Sequence, residues 1–475
     1  MRRLLAGLVA LVALLPVAAG AAEELELPAV TRVTLDNGLR LVVAESHELP
    51  LVEFYAMIGA GAAQDPADQL GLASLTAASV TRGAGKLDAE EFARAVESLA
   101  GGIAAAAGTD GTIVNAEFLS EDFDRGLDLL RLVLREPTFA ADEVRRAREQ
   151  QLAGLVADLE EPTAIAERCF AAFLYGGYSY GRPIDGRHKT VAGLGRGDVR
   201  KFHARWWRPN ATVLAIVGDV ATDRIVARVR EALGGWTPSP EAIAQRAGPP
   251  PPVEARRVLL VDKPDATQTQ LRAGAIAMAR NAPDLLPAQV ANTVLGGGFT
   301  SKLIEELRVK RSLTYGASSG FAARLTGGDF RMATFTKSAT TAETLGLALD
   351  VEGSFRRGPI DPQALRKAKA YLAGQFPLRL ESPDALAARL AEIEFFGLPP
   401  DELVTYRTRL AAVTDADAER AAERWMPDPD RMAIVVVGNA AEVREQLEAR
   451  FGPVQSTTPE GCDALAVSPP AAATR

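Results

Sequence analysis

Cysteine and histidine are nearly missing from this 475-residue chain, which has two of the first and three of the second. Two cysteines cannot build a disulfide scaffold, and their positions, 169 and 462, fit no zinc or redox spacing. Long basic tracts are also missing. The 53 basic residues are outnumbered by 61 acidic ones, giving a net charge of −8, and nothing here follows a phosphate backbone, so nucleic acid is not expected as a partner. The remaining composition, 47% apolar and 24% charged, excludes long disorder and collagen and leaves material for a large core. At roughly 150 residues per domain the length suggests about three domains or two large ones, and two is the working number.

Met1-Arg2-Arg3 precedes the apolar run Leu4 to Ala19, and Ala19-Gly20-Ala21-Ala22 leads into Glu23-Glu24. This pattern predicts a cleavable signal peptide over residues 1–22, because Pro16 breaks the run and no stop-transfer pattern follows. No cysteine at the cleavage site indicates a lipid anchor. The mature chain is therefore expected in the periplasm or secreted, with no stable membrane span. In such an oxidising compartment Cys169 and Cys462 can pair or stay apart, and the sequence does not choose.

Pro249 to Pro252, after Arg246-Ala247-Gly248, cannot enter a helix interior or a central strand and predicts an extended link over 243–256. On either side lies the same run of features. Arg205-Trp206, Pro209-Asn210, an apolar strand from Ala211, Gly218-Asp219 and a helix from Thr222 are answered by Arg424-Trp425, Pro429-Asp430, a strand from Met432, Gly438-Asn439 and a helix from Ala441. Arg424 lies 219 residues after Arg205, and Gly438 lies 220 after Gly218. A duplicated domain is the reading, with units over 25–242 and 257–450 and a tail over 451–475. Asn37-Gly38 between apolar runs predicts a hairpin. Strands bunched ahead of helices in both units predict an α+β class: two similar domains, each a mostly antiparallel sheet packed with helices, facing each other around a chamber. The extended link would let the two halves move as bodies.

Leu35-Asp36-Asn37-Gly38-Leu39-Arg40, Leu49-Pro50-Leu51-Val52 and Gly71-Leu72-Ala73 resemble the start of the insulinase/pitrilysin zinc peptidases, and the resemblance extends through the paired units. In active members the last triplet leads into His-Xaa-Xaa-Glu-His, two imidazoles on one helical face with a carboxylate between them to activate the metal-bound water. Those positions here are Ser74, Ala77 and Ala78, and the family's third ligand, a Glu, falls near Gly154. No zinc is expected in this chain. His47, His188 and His203 share no helical ligand spacing and do not replace the motif.

Gly316-Ala317-Ser318-Ser319-Gly320 matches a nucleophile-elbow pattern, but Phe321-Ala322-Ala323 continues a strand where an elbow needs a helix. Glu160-Glu161 before Pro162 reads as a solvated helix end, and Gly296-Gly297-Gly298 as a flexible turn or substrate-facing loop without the Lys-Ser/Thr of a phosphate loop. The small-residue strand Gly101 to Ala107 corresponds to the one that receives substrate as an added strand in active relatives, although close packing suffices to explain it.

The segment Ser301 to Gly316 resembles the family's second-domain motif, in which an Arg and, seven residues on, a Tyr complete the active site. Arg308 and Tyr315 match that spacing, with Arg311 as the alternative in a shifted register. An Arg308–Glu305 surface pair and a half-buried strand Tyr315 are the structural alternative. Loss of the zinc motif with retention of this pair resembles the non-catalytic partner in two-chain members, of the mitochondrial-processing-peptidase type. The resemblance implies an exported heterodimer subunit acting on peptides, with zinc in the partner chain and with Arg308 and Tyr315 binding substrate in trans. A peptide-binding or scaffold protein is the alternative from another class, and a self-contained peptidase is a third.

Overall fold

The structure, a computed structural model, describes residues 27–240 and 248–465. The expected signal peptide, part of the link and the last ten residues lie outside the described residues.

Asn37-Gly38 turns the chain first. Gly38 takes φ +85°, and the Leu35 amide bonds Leu39 O at 2.9 Å, closing the hairpin of β1 (Val30–Thr34) and β2 (Arg40–Glu45). Asn37 also donates its side-chain amide to Leu233 O at 2.8 Å and Trp236 O at 3.1 Å, which fixes the turn against the end of the helix Thr222–Leu233.

β3 (Leu51–Ile58), β4 (Gly102–Ala107), β5 (Thr112–Leu119) and β6 (Thr212–Gly218) complete a six-stranded sheet ordered β1-β2-β6-β3-β5-β4. The second half supplies β7 (Arg257–Asp262), β8 (Thr269–Ala277), β9 (Ala317–Ala323), β10 (Gly328–Thr336), β11 (Ala433–Gly438) and β12 (Gln455–Thr457), ordered β12-β7-β11-β8-β10-β9. The protein is thus α+β with two matching sheets. Each contains a matching parallel pair, β2 with β6 and β7 with β11, followed by three antiparallel ladders. Only the outermost strands differ: β1 arrives from the N-terminal hairpin and lies antiparallel to β2, whereas β12 arrives from the C-terminal end and lies parallel to β7.

β6 and β11 are buried at every residue, and the reason is a layer on both faces. Leu214 and Ile216 of β6 face the first half's own helices, while Val213, Ala215 and Val217 pack under the helix Pro383–Phe396 from the second half. Ile434 and Val436 of β11 likewise face home, and Ala433, Val435 and Val437 pack under the helix Pro162–Tyr175 from the first half. The halves therefore exchange helices. Cys169 in the exchanged helix is bonded to Cys462 in the C-terminal segment, across 293 residues of sequence.

This corrects the expectation that the Pro-rich link leaves the halves free to move as bodies. At about 1.5–3 kcal/mol for each large side chain buried, uncovering Ile165, Phe170, Phe173 and Leu174 alone opposes separation strongly. The link itself is fastened to the seam: Val253 is buried in the same cluster, and the Tyr178 phenol donates to Gly248 O at 2.7 Å.

Candidate functional site

Three local features bring Arg308 and Tyr315 together. The helix Leu285–Leu295 ends in Gly296, which lies so close to β9 that an added Cβ would sit 2.3 Å from Ser319 Oγ and 2.5 Å from Ser319 N. The Ser319 amide donates to Gly296 O at 3.1 Å, and Asn292 and Ser319 exchange two further bonds at 2.9 and 2.7 Å, so the glycine loop is pinned to the outer edge of β9. Next, a π-helical turn, Ile304–Val309, is widened by the Lys310 amide bonding Glu305 O at 2.9 Å. Ser312 then takes the left-handed conformation, φ +53°, and the Ser312 and Leu313 amides close on the carbonyls of Arg308 and Leu307. The chain reverses there and enters β9.

Arg308 and Tyr315 line one cavity of about 500 Å³, open to solvent, with Phe299 and Tyr371 beside them. Phe299 is 86% exposed and Tyr315 80% exposed. The floor includes Thr163 from the exchanged helix and Arg272, whose Nε donates to Glu167 at 2.7 Å. Arg311 does not line this cavity.

Glu305 does not pair with Arg308. Lys310 Nζ engages Glu305 at 2.9 Å and Glu306 at 2.7 Å, and its hydrogen bond holds the Glu305 carboxyl below the usual carboxylate range. Among the described residues neither the Arg308 guanidinium nor the Tyr315 phenol has a hydrogen-bond or ion-pair partner. A planar five-donor cation and a phenol donor thus face the same open volume, able to take a carbonyl in a fork and to donate to an oxyanion.

The positions aligned with the zinc motif are built differently. The helix Leu72–Ser79 starts after Gly71, which takes φ +91°, and Asp65 receives the Gly71 and Ala73 amides at 2.7 and 2.8 Å. Burial raises the Asp65 carboxyl to about 7 against those bonds. Ser74 Oγ donates to Asp185 at 2.7 Å, Ala77 is buried, and Gly154, on the helix Ala141–Asp158, is exposed with open space where a Cβ would stand. Among the described residues no group of three or more His, Cys, Asp or Glu is arranged to hold a metal ion. His47 bonds Asp219 at 2.6 Å on the surface, His188 opens a short exposed helix, and His203 is packed between Phe139 and Trp207.

Ser318 lies inside β9, so no strand-to-helix elbow forms around it. Glu160 pairs with Lys263 at 3.4 Å. The small-residue strand is β4, an edge of its sheet, as β9 is of the other.

A duplicated α+β fold with an emptied zinc motif defines a peptidase-like protein of non-catalytic type. The chain belongs to the insulinase family: residues 41–186 match the insulinase family (peptidase family M16), and residues 193–372 match the peptidase M16 inactive domain. Among relatives, it is 27% identical over 370 residues to an uncharacterized zinc protease of Mycobacterium leprae, covering 77% of this chain and 82% of that one. It is 25% identical over 364 residues to a non-peptidase homolog of Helicobacter pylori, covering 76% and 82%. A peptidase M16 inactive domain from Pseudomonas fluorescens superposes with a TM-score of 0.82 at 27% identity, over 86% of this chain and 98% of that one.

Proposed function

We propose that this chain is the non-catalytic subunit of an exported zinc metallopeptidase heterodimer, with its two halves as paired peptidase-like domains. One observation carries the reading: Arg308 and Tyr315 share an open cavity without partners among the described residues, in a chain that has Ser74, Ala77, Ala78 and Gly154 where zinc ligands and their base would stand. Zinc belongs to the partner subunit, an insulinase-family chain with an intact motif, where it would activate water. Arg308 holds a carbonyl of the peptide substrate by fork-like bonds. Tyr315 donates to the oxygen on which charge develops. Both act in trans, so this chain alone is inactive.

The edge position of β4 favours a second reading, a peptide-binding or scaffold protein without a catalytic partner, because outward backbone groups there can receive an extended segment. Purification of the chain from its native envelope separates the two. Recovery of a zinc-bearing relative in stoichiometric amount supports the heterodimer, and recovery of the chain alone, or with peptides only, supports the second reading.

A further inference from the structure

A second cavity, of about 610 Å³, lies away from Arg308 and Tyr315, where the start of the helix Leu285–Leu295 meets the end of Pro362–Leu378 and the helices Pro383–Phe396 and Glu402–Ala412. Its charged groups form an alternating chain. Arg280 meets Glu392 at 3.5 Å, Arg389 meets Glu392 at 2.8 Å and Glu402 at 3.5 Å, and Arg409 also pairs with Glu402. Arg379 completes the lining, its side chain bonded among the described residues only to the Gln375 amide oxygen, at 3.0 Å. Among the lining groups, four guanidiniums against two carboxylates leave a surplus of two positive charges.

Tyr406 stands among them. Its ring stacks on Phe376 at 4.3 Å, and its hydroxyl, which has no hydrogen-bond partner among the described residues, feels Arg379, Arg389, Glu402 and Arg409. Burial pushes the phenol upward, so it remains a donor. Leu285, Leu286, Leu372 and Leu398 add an apolar part to the lining. Surplus cations beside a free phenol donor call for an anion, and the leucines call for an apolar body attached to it. The volume falls in the usual range for small-ligand sites, roughly 300–1,000 Å³.

We propose that this cavity binds a small amphipathic carboxylate, with the carboxylate between Arg379 and Tyr406 and the apolar body on the leucines. Two sources share that chemistry, a free aliphatic acid and the C-terminal residue of a peptide.

Calorimetric titration of the full mature chain tests this with octanoate, N-acetyl-Leu-Leu bearing a free carboxylate, the amides of both, and inorganic phosphate. At least one carboxylate should bind saturably at one site, about tenfold or more tighter than its amide. Arg379→Gln should weaken it about tenfold and Tyr406→Phe several-fold, with the melting temperature unchanged because neither change breaks an ion pair. Tighter octanoate assigns a free acid, and a tighter dipeptide assigns a peptide end. Absence of binding by both carboxylates, equal binding of the amides, binding of phosphate alone, or indifference to both substitutions would overturn the assignment.

Discussion

Pro162 and Pro383, 221 residues apart, each stand at the first position of the helix that crosses to cover the other half's sheet. The spacing matches that of the repeated strands, so the exchange is part of the duplicated unit rather than a later addition. Proline suits this position because it donates no amide and its fixed φ starts the helix where the chain leaves its own half.

Cys169 and Cys462 reinforce one of the two crossings. Replacing both with serine should lower stability by about 2–4 kcal/mol, read as a lower urea midpoint with a steeper slope as the uncrosslinked unfolded chain exposes more surface. An unchanged midpoint would mean that the packing of the exchanged helix already carries the whole constraint.

Some of this was legible in the sequence and some was not. Asn37-Gly38 and the strands before Gly218 and Gly438 depend on local turn chemistry and short-range periodicity, which a single sequence displays, whereas Arg308 and Tyr315 were picked out only by their resemblance to the family's second-domain motif. The helix exchange depends on contacts between segments more than two hundred residues apart. Its one visible trace, continuous apolar runs at β6 and β11, marks a strand covered on both faces without saying by what. The pairing of Cys169 with Cys462 was hidden for the same reason, and so was the approach of Arg280 to Arg379, Arg389 and Arg409, which lie about a hundred residues further on.

Glu53 is 4% exposed and directly opposite Glu117 in the β3–β5 ladder, and burial, then Glu117, pushes its carboxyl up to about 9. The folded chain keeps a proton that the unfolded chain releases near its ordinary value. Stability from this group is thus full below about pH 4.5 and is lost as pH rises toward 9. Glu53→Gln should stabilise the protein at pH 8 by about 1–3 kcal/mol and flatten its stability between pH 5 and 9. Destabilisation at pH 8 would contradict the buried, protonated carboxyl.

His203 titrates with the opposite sense. Burial pushes it down to about 4, so its contribution is present above 6.5 and lost as pH falls through that interval. Its ring proton signals should still report neutral imidazole at pH 5.5. An observed midpoint near 6.5 would show that the packing between Phe139 and Trp207 is loose.

The purified mature chain alone should bind zinc no better than background and cleave no peptide, since Ser74, Ala77, Ala78 and Gly154 offer no imidazole, thiolate or carboxylate. Elemental analysis and a chelator-controlled peptidase assay check this together; stoichiometric zinc with chelator-sensitive cleavage is the opposing result.

The most direct test of the central claim is the turnover of an intact mixed complex with a zinc-bearing relative, with and without Tyr315→Phe. In a closed, dry chamber a phenol donated to a developing oxyanion is worth about 3 kcal/mol, so turnover should fall roughly a hundredfold while assembly is unchanged. Arg308→Ala in the same complex should also raise the Michaelis constant, because the guanidinium contact precedes the reaction as well as accompanying it. Wild-type rates from a fully assembled complex carrying both substitutions would contradict the claim and leave this chain a binding or scaffolding role alone.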